Sequence, residues 1–158
     1  MFDQVNGLPV HALVIHAAVV FIPLLAVGAI VYALVSRWRT RIGWAVGLLA
    51  IISPITALVS MLSGEALLDK LKANGLKGRG AEILNDHMGF GTLTFWFTLV
   101  LGIVTLAMVV LTTRRPDRPL PKIPNAVLSV VVVLLALTSG YYAFRTGDSG
   151  ATAVWGTY

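Results

Sequence analysis

The sequence predicts an all-α fold, a four-helix transmembrane bundle made of two tandem helical hairpins with both termini outside. Three observations carry this reading. Apolar residues make up 57% of the 158 residues and charged residues only 12%, against roughly 45–50% and about 25% in soluble domains. So much apolar surface exceeds what a core of this size can hold, and part of it must face lipid. Four stretches of spanning length lack Asp, Glu, Lys and Arg, and most basic residues gather in two short clusters between those stretches.

The four spans are 10–36, 42–64, 88–113 and 124–144, each reaching the ~20 residues that cross a hydrocarbon core. Without water to satisfy the backbone such segments must be helical, and the period-two alternation of a membrane barrel is absent. Pro9 suits the first turn of the first helix, where its missing N–H costs nothing. The start MFDQVNGLPVH has no positive n-region and reads as leading into a retained helix, not a cleaved signal. Pro23 and Pro54 fall mid-span and predict kinks.

The connections set the orientation. The first carries Arg37, Arg39 and Arg41, and the third Arg114, Arg115, Arg118 and Lys122 against the single acid Asp117. The opposite side holds a near-balance of acids and bases, so the positive-inside rule puts both Arg loops in the cytoplasm, with Trp38 and Trp44 as interfacial anchors. The long outer connection, 65–86, begins EALLDKLKANG and is expected to form a separate short amphipathic helix on the membrane or capping the bundle. Gly75, Gly78 and Gly80 would end it, and Asn85 or Asp86 would cap the third span.

The second half laid over the first with a 76-residue offset and no gap superposes His11 on His87, Phe21 on Phe97, Arg39 on Arg115, Ser53 on Ser129, and Ser63-Gly64 on Ser139-Gly140. This points to a duplicated hairpin. Two hairpins of one orientation relate by a pseudo-twofold axis along the membrane normal, which brings His11 and His87 to equal depth near the outer face.

Composition narrows the chemistry. The net charge of +5 is explained by the cytoplasmic loops, so nucleic acid is not an expected partner. With no cysteine, disulfides, thiolate metal sites and c-type haem attachment are excluded. No Walker motif, nucleophile elbow or HExxH occurs, and no independent catalytic activity is expected. No carboxylate lies mid-membrane, which weighs against a proton-driven pump and weakens a transporter or metal-permeation reading.

The chemistry-bearing residues are His11, His16 and His87. Two of the three are candidates for the axial ligands of a haem b, since paired imidazoles on different helices of a bundle grip a macrocycle; His16 with His87, or His11 with His87, would also suit a bare metal ion such as copper or zinc. On an ideal helix His16 lies about 7.5 Å deeper than His11 and about 140° around, so these two cannot both face one centre. The opposing reading is three structural histidines bonded to Asp86, Glu65 or backbone. Arg145, Asp148 and Ser149, in the Gly-rich run after the fourth span, are candidates for an outer lid, and Trp96, Tyr141 and Tyr142 for lining that end. Met88 is the methionine nearest the histidines, and Ser63-Gly64, Ser139-Gly140 and Gly102 suit close helix packing.

The run HALVIHAAVVFIP, His11 to Pro23, resembles the bacterial membrane family catalogued as domain of unknown function 2231, whose first helix opens with a His-Pro-x-x-x-His-Phe-Pro-like pattern. His11 and His16 match it, whereas Ala12 and Ala17 depart from its Pro and Phe; His87 matches a later histidine, and GDSGATAVWG, Gly147 to Gly156, resembles the ending of actinobacterial members. The resemblance covers nearly the whole chain as one domain. It implies a multi-pass protein of the bacterial cell membrane. Fusions of related domains to Rieske-type or cytochrome-type domains imply a respiratory setting. Two functions therefore stand open: a haem-bearing electron-transfer component, or a non-catalytic accessory subunit without cofactor. The expected partners are lipid and either respiratory-complex subunits or a second copy of the chain.

Overall fold

A computed structural model describes residues 4–5, 8–113 and 121–156. A two-residue antiparallel ladder, β1 (Gln4–Val5) with β2 (Leu8–Pro9), leads into four long helices. These are α1 (Val10–Leu34), α2 (Arg39–Ala73), α3 (Arg79–Thr113) and α4 (Lys122–Trp155), with a 3₁₀ turn at Ser36–Trp38. All four are long and apolar enough to cross a membrane. Each helix packs on its neighbours in the cyclic order α1, α2, α3, α4, so α1 and α3 face each other across the bundle diagonal.

The helices outrun the spans read from hydropathy. At ~1.5 Å per residue the 35-residue α2 is about 52 Å long, against a hydrocarbon core of ~30 Å. The segment EALLDKLKA is therefore not a separate surface helix but the last turns of α2, because nothing between Ser63 and Ala73 breaks a helix. The true turn is 74–78, where Gly75 and Gly78 adopt φ of 96° and 65°, a region only glycine enters freely. α3 then starts at Arg79, well before Asn85 and Asp86; Asn85 instead accepts a hydrogen bond from Lys72 Nζ. Likewise the Gly-rich tail is not a loop: α4 continues through it to Trp155.

The surface is apolar and the interior partly polar, the reverse of a soluble bundle. Ile103, Leu134 and Leu137 are well exposed, whereas Ser53, Thr98, Thr105 and Ser139 are fully buried. Three of these hydroxyls tie helices together: Thr98 pairs with Ser139, and Ser53 donates to the Phe21 carbonyl. Such bonds are used in lipid, where apolar contact alone does not favour helix association. α1 and α2 run on through Pro23 and Pro54. Pro54 has no N–H for the carbonyl of Ala50, and Gly102 of α3 presses against that carbonyl: a Cβ at Gly102 would lie 2.5 Å from Ala50 O and 2.8 Å from Pro54 Cγ.

The end of the bundle at the α1–α2 connection is closed by Arg39. Its Nε donates to the Tyr32 carbonyl, Nη2 to the Ala33 carbonyl and Nη1 to Asn125 Oδ1. The first two are carbonyls of the last turn of α1, which has no basic residue of its own there. One guanidinium thus caps α1 from α2 and reaches α4. Trp38 and Trp44 are exposed beside it, as interfacial anchors require. The partner proposed for Arg39 in the repeat, Arg115, lies outside the described residues.

Candidate functional site: a paired-histidine cradle

His11 is in the first turn of α1 and His87 two turns into α3. Measured from the far ends of their helices, Leu34 and Thr113, they lie roughly 35 and 39 Å along the axis. That is just past the edge of a ~30 Å core, at the end of the bundle opposite Arg39. The rings meet across the bundle diagonal with centroids 6.3 Å apart and planes at 84°.

Each imidazole rests in the same cradle, built by the neighbouring helix. His11 Nδ1 lies 3.0 Å from Ser60 O and 3.2 Å from Ser63 Oγ. His87 Nδ1 lies 3.0 Å from Thr146 O and 3.1 Å from Ser149 Oγ. A carbonyl can only accept, so Nδ1 carries the proton in both rings. The serine hydroxyls donate to the same carbonyls, Ser63 to Ser60 O and Ser149 to Thr146 O. Nε2 then holds the lone pair, and neither Nε2 has a hydrogen-bond partner among the described residues. Glycine makes the approach possible: a Cβ at Gly64 would sit 3.1 Å from His11 Cε1, and one at Gly150 would sit 2.9 Å from His87 Cε1. The Met88 sulfur lies over Gly64 beside the His11 ring, 3.4 Å from that Cβ position.

These contacts correct the register of the repeat. α1 and α3 correspond at the offset of 76, His11 with His87. α2 and α4 correspond at 86: Ser53 with Ser139, Ser60 with Thr146, Ser63 with Ser149 and Gly64 with Gly150. Ser63-Gly64 therefore matches Ser149-Gly150, not Ser139-Gly140. The ten extra residues are spread over the end of α3, the connection after it and the start of α4, where an ungapped comparison cannot see them.

The other expected site residues divide. His16 is exposed and its Nδ1 is bonded to Ala12 O of its own helix, so it faces away from the pair. Ser149 belongs to the cradle, as part of α4 and not of a lid. Asp148 is exposed on the same helix, and its carbonyl accepts from Thr152. Arg145 does not pair with Asp148; its guanidinium lies 4.7 Å from the centroid of the Phe90 ring. Tyr142 stacks on Phe97 at 5.2 Å, while Tyr141 and Trp96 are exposed. Sequence reading missed Ser60, Thr146 and Gly150. The signal for them was there, as S-x-x-S-G and T-x-x-S-G, but visible only after the ten-residue gap is allowed.

The described residues contain no group of three or more His, Asp or Glu side chains placed to hold a metal ion. The donor set is two imidazoles with a nearby thioether. Two imidazoles that share one metal end-on, with bonds of about 2.0–2.1 Å, place their centroids roughly 6 Å apart. The observed spacing matches, and rotation about a metal–nitrogen bond permits perpendicular rings. Nδ1–H donation to a carbonyl is also the usual outer-shell support of a ligating histidine.

No curated protein and no solved structure matches the chain. A family model described as "Predicted membrane protein (DUF2231)" matches residues 7–157, so the whole bundle, its histidine pair included, belongs to the DUF2231 family of membrane proteins.

Proposed function

We propose that the protein holds a metal cofactor, haem b by its donor set, between His11 and His87 at the outer end of the bundle, and serves as an electron-transfer component of a bacterial respiratory membrane. The observation that carries this reading is the duplicated cradle: two imidazoles held in one tautomer, with free Nε2 atoms and a spacing suited to a shared metal. His11 and His87 would be the ligands. Ser63, Ser149 and the two carbonyls would orient them. A bound haem would supply one-electron exchange between ferric and ferrous iron. Met88 favours a soft ion such as copper(I) if no macrocycle is present.

The accessory-subunit reading also has an observation in its favour. Each histidine already ties two helices together, His11 joining α1 to α2 and His87 joining α3 to α4.

A reduced-minus-oxidised spectrum of the purified protein, with elemental analysis of the same sample, separates the two. The expected result is an α-band with stoichiometric iron, lost in His11→Ala and His87→Ala and kept in His16→Ala. Stoichiometric copper without a band would replace haem by an ion at the same ligands. A metal-free protein from haem-replete, copper-supplied cells would reject the cofactor and leave the accessory role.

A further inference from the structure

We propose that the groove between α3 and α4 at Arg145 and Phe90 is a lipid site that binds the phosphate of an outer-leaflet phospholipid. The first argument is broken symmetry. In the register set by the two cradles, Phe90 corresponds to Val14 and Arg145 to Val59. The first hairpin carries two valines at these positions, and Val59 is 40% exposed on the bundle exterior. The fold therefore has no need of a cation here, and the corresponding place faces outward.

The second argument is electrostatic. Arg145 is half-buried, its Nε is buried without an acceptor, and no carboxylate pairs with it among the described residues. Its guanidinium is held against Phe90 at 4.7 Å, a cation–π contact that fixes the charge without neutralising it. A half-buried, unneutralised guanidinium is costly unless an anion reaches it. Planar bidentate bonding to phosphate oxygens is what this group does well.

The third argument is depth. Arg145 lies roughly 35 Å along α4 from Lys122, just past a ~30 Å core, at the level of headgroups. Below it on the same side are the Phe97–Tyr142 stack and the exposed ring of Tyr141, suited to the glycerol and upper acyl chain. The commitment is to a phosphodiester carried by a lipid. It is independent of any metal at the histidines.

Native mass spectrometry of the full chain in mild detergent, titrated with phosphatidylglycerol, tests it. The wild type should retain one lipid through a wash that strips the Arg145→Gln variant, whose apparent affinity should be at least about tenfold weaker, equivalent to ~1.4 kcal/mol. Phe90→Leu, which keeps the charge but not the stack, should fall between them and guards against misfolding of the first variant. A phosphate-free glycolipid of the same chain length should not be retained. Equal retention by Arg145→Gln, equal retention of the glycolipid, or displacement of the lipid by millimolar inorganic phosphate would each overturn the proposal.

Discussion

At the scale of single residues, the site is decided by atoms that hydropathy does not register. Gly64 and Gly150 matter for what they lack. A methyl at Gly150 would stand 2.9 Å from the His87 ring, so Gly150→Ala should push the imidazole off its carbonyl and change any cofactor spectrum more than it changes stability. Ser149→Ala removes one neutral hydrogen bond and should cost only ~0.5–1.5 kcal/mol in chemical denaturation, since the Thr146 carbonyl still holds Nδ1. His11 and His87 were legible as candidates because ionisable residues in membrane helices are few. His16 looked equal to them in composition, and only the ~100° step of the helix argued that it and His11 could not both be ligands.

At the scale of elements, two contacts test the packing argument. Gly102→Ala would drive a Cβ into the Ala50 carbonyl, a backbone atom that cannot rotate away. We expect a loss of roughly 1–3 kcal/mol, read as a lower melting temperature in detergent. Ala at Gly89 or Gly140, where the space is open, should be near neutral. Arg39→Met should cost more than ~2 kcal/mol, because it strands the Tyr32 carbonyl, leaves the Ala33 carbonyl to Ser129 alone and frees Asn125; Arg39→Lys should recover only part, lacking the fork. Element ends were the least legible feature. The spans stop where charged residues begin, yet the helices continue about 15 Å into the aqueous side. Charge does not break a helix; Gly75 and Gly78, able to take positive φ, do.

At the scale of the whole molecule, the two Arg loops predict an orientation that can be measured directly. A cysteine replacing Thr40 should be shielded from an impermeant thiol reagent in intact cells, and one replacing Asn74, in the exposed turn between α2 and α3, should be labelled. The opposite pattern would move the histidine pair to the cytoplasmic face. The pseudo-twofold arrangement puts both cradles at one end and beside the axis, so a ligand shared by both halves is a natural use of the duplication. The departure from symmetry at Arg145 marks one flank of the bundle as different from the other.

Composition, charge-free spans and Arg distribution by themselves determined a four-helix membrane bundle of two hairpins, because lipid tolerates so few backbone solutions. They also singled out the histidines, since a polar side chain at that depth needs a partner. What only the tertiary structure decided was the partner. The carbonyls and hydroxyls that hold His11 and His87 lie 49 to 62 residues away in the chain, and their register depends on ten extra residues around the α3–α4 junction. No local pattern reports which helix faces will meet, because that choice is made by close packing across helices. There a glycine, a freed carbonyl and a serine become a site only when a second helix arrives.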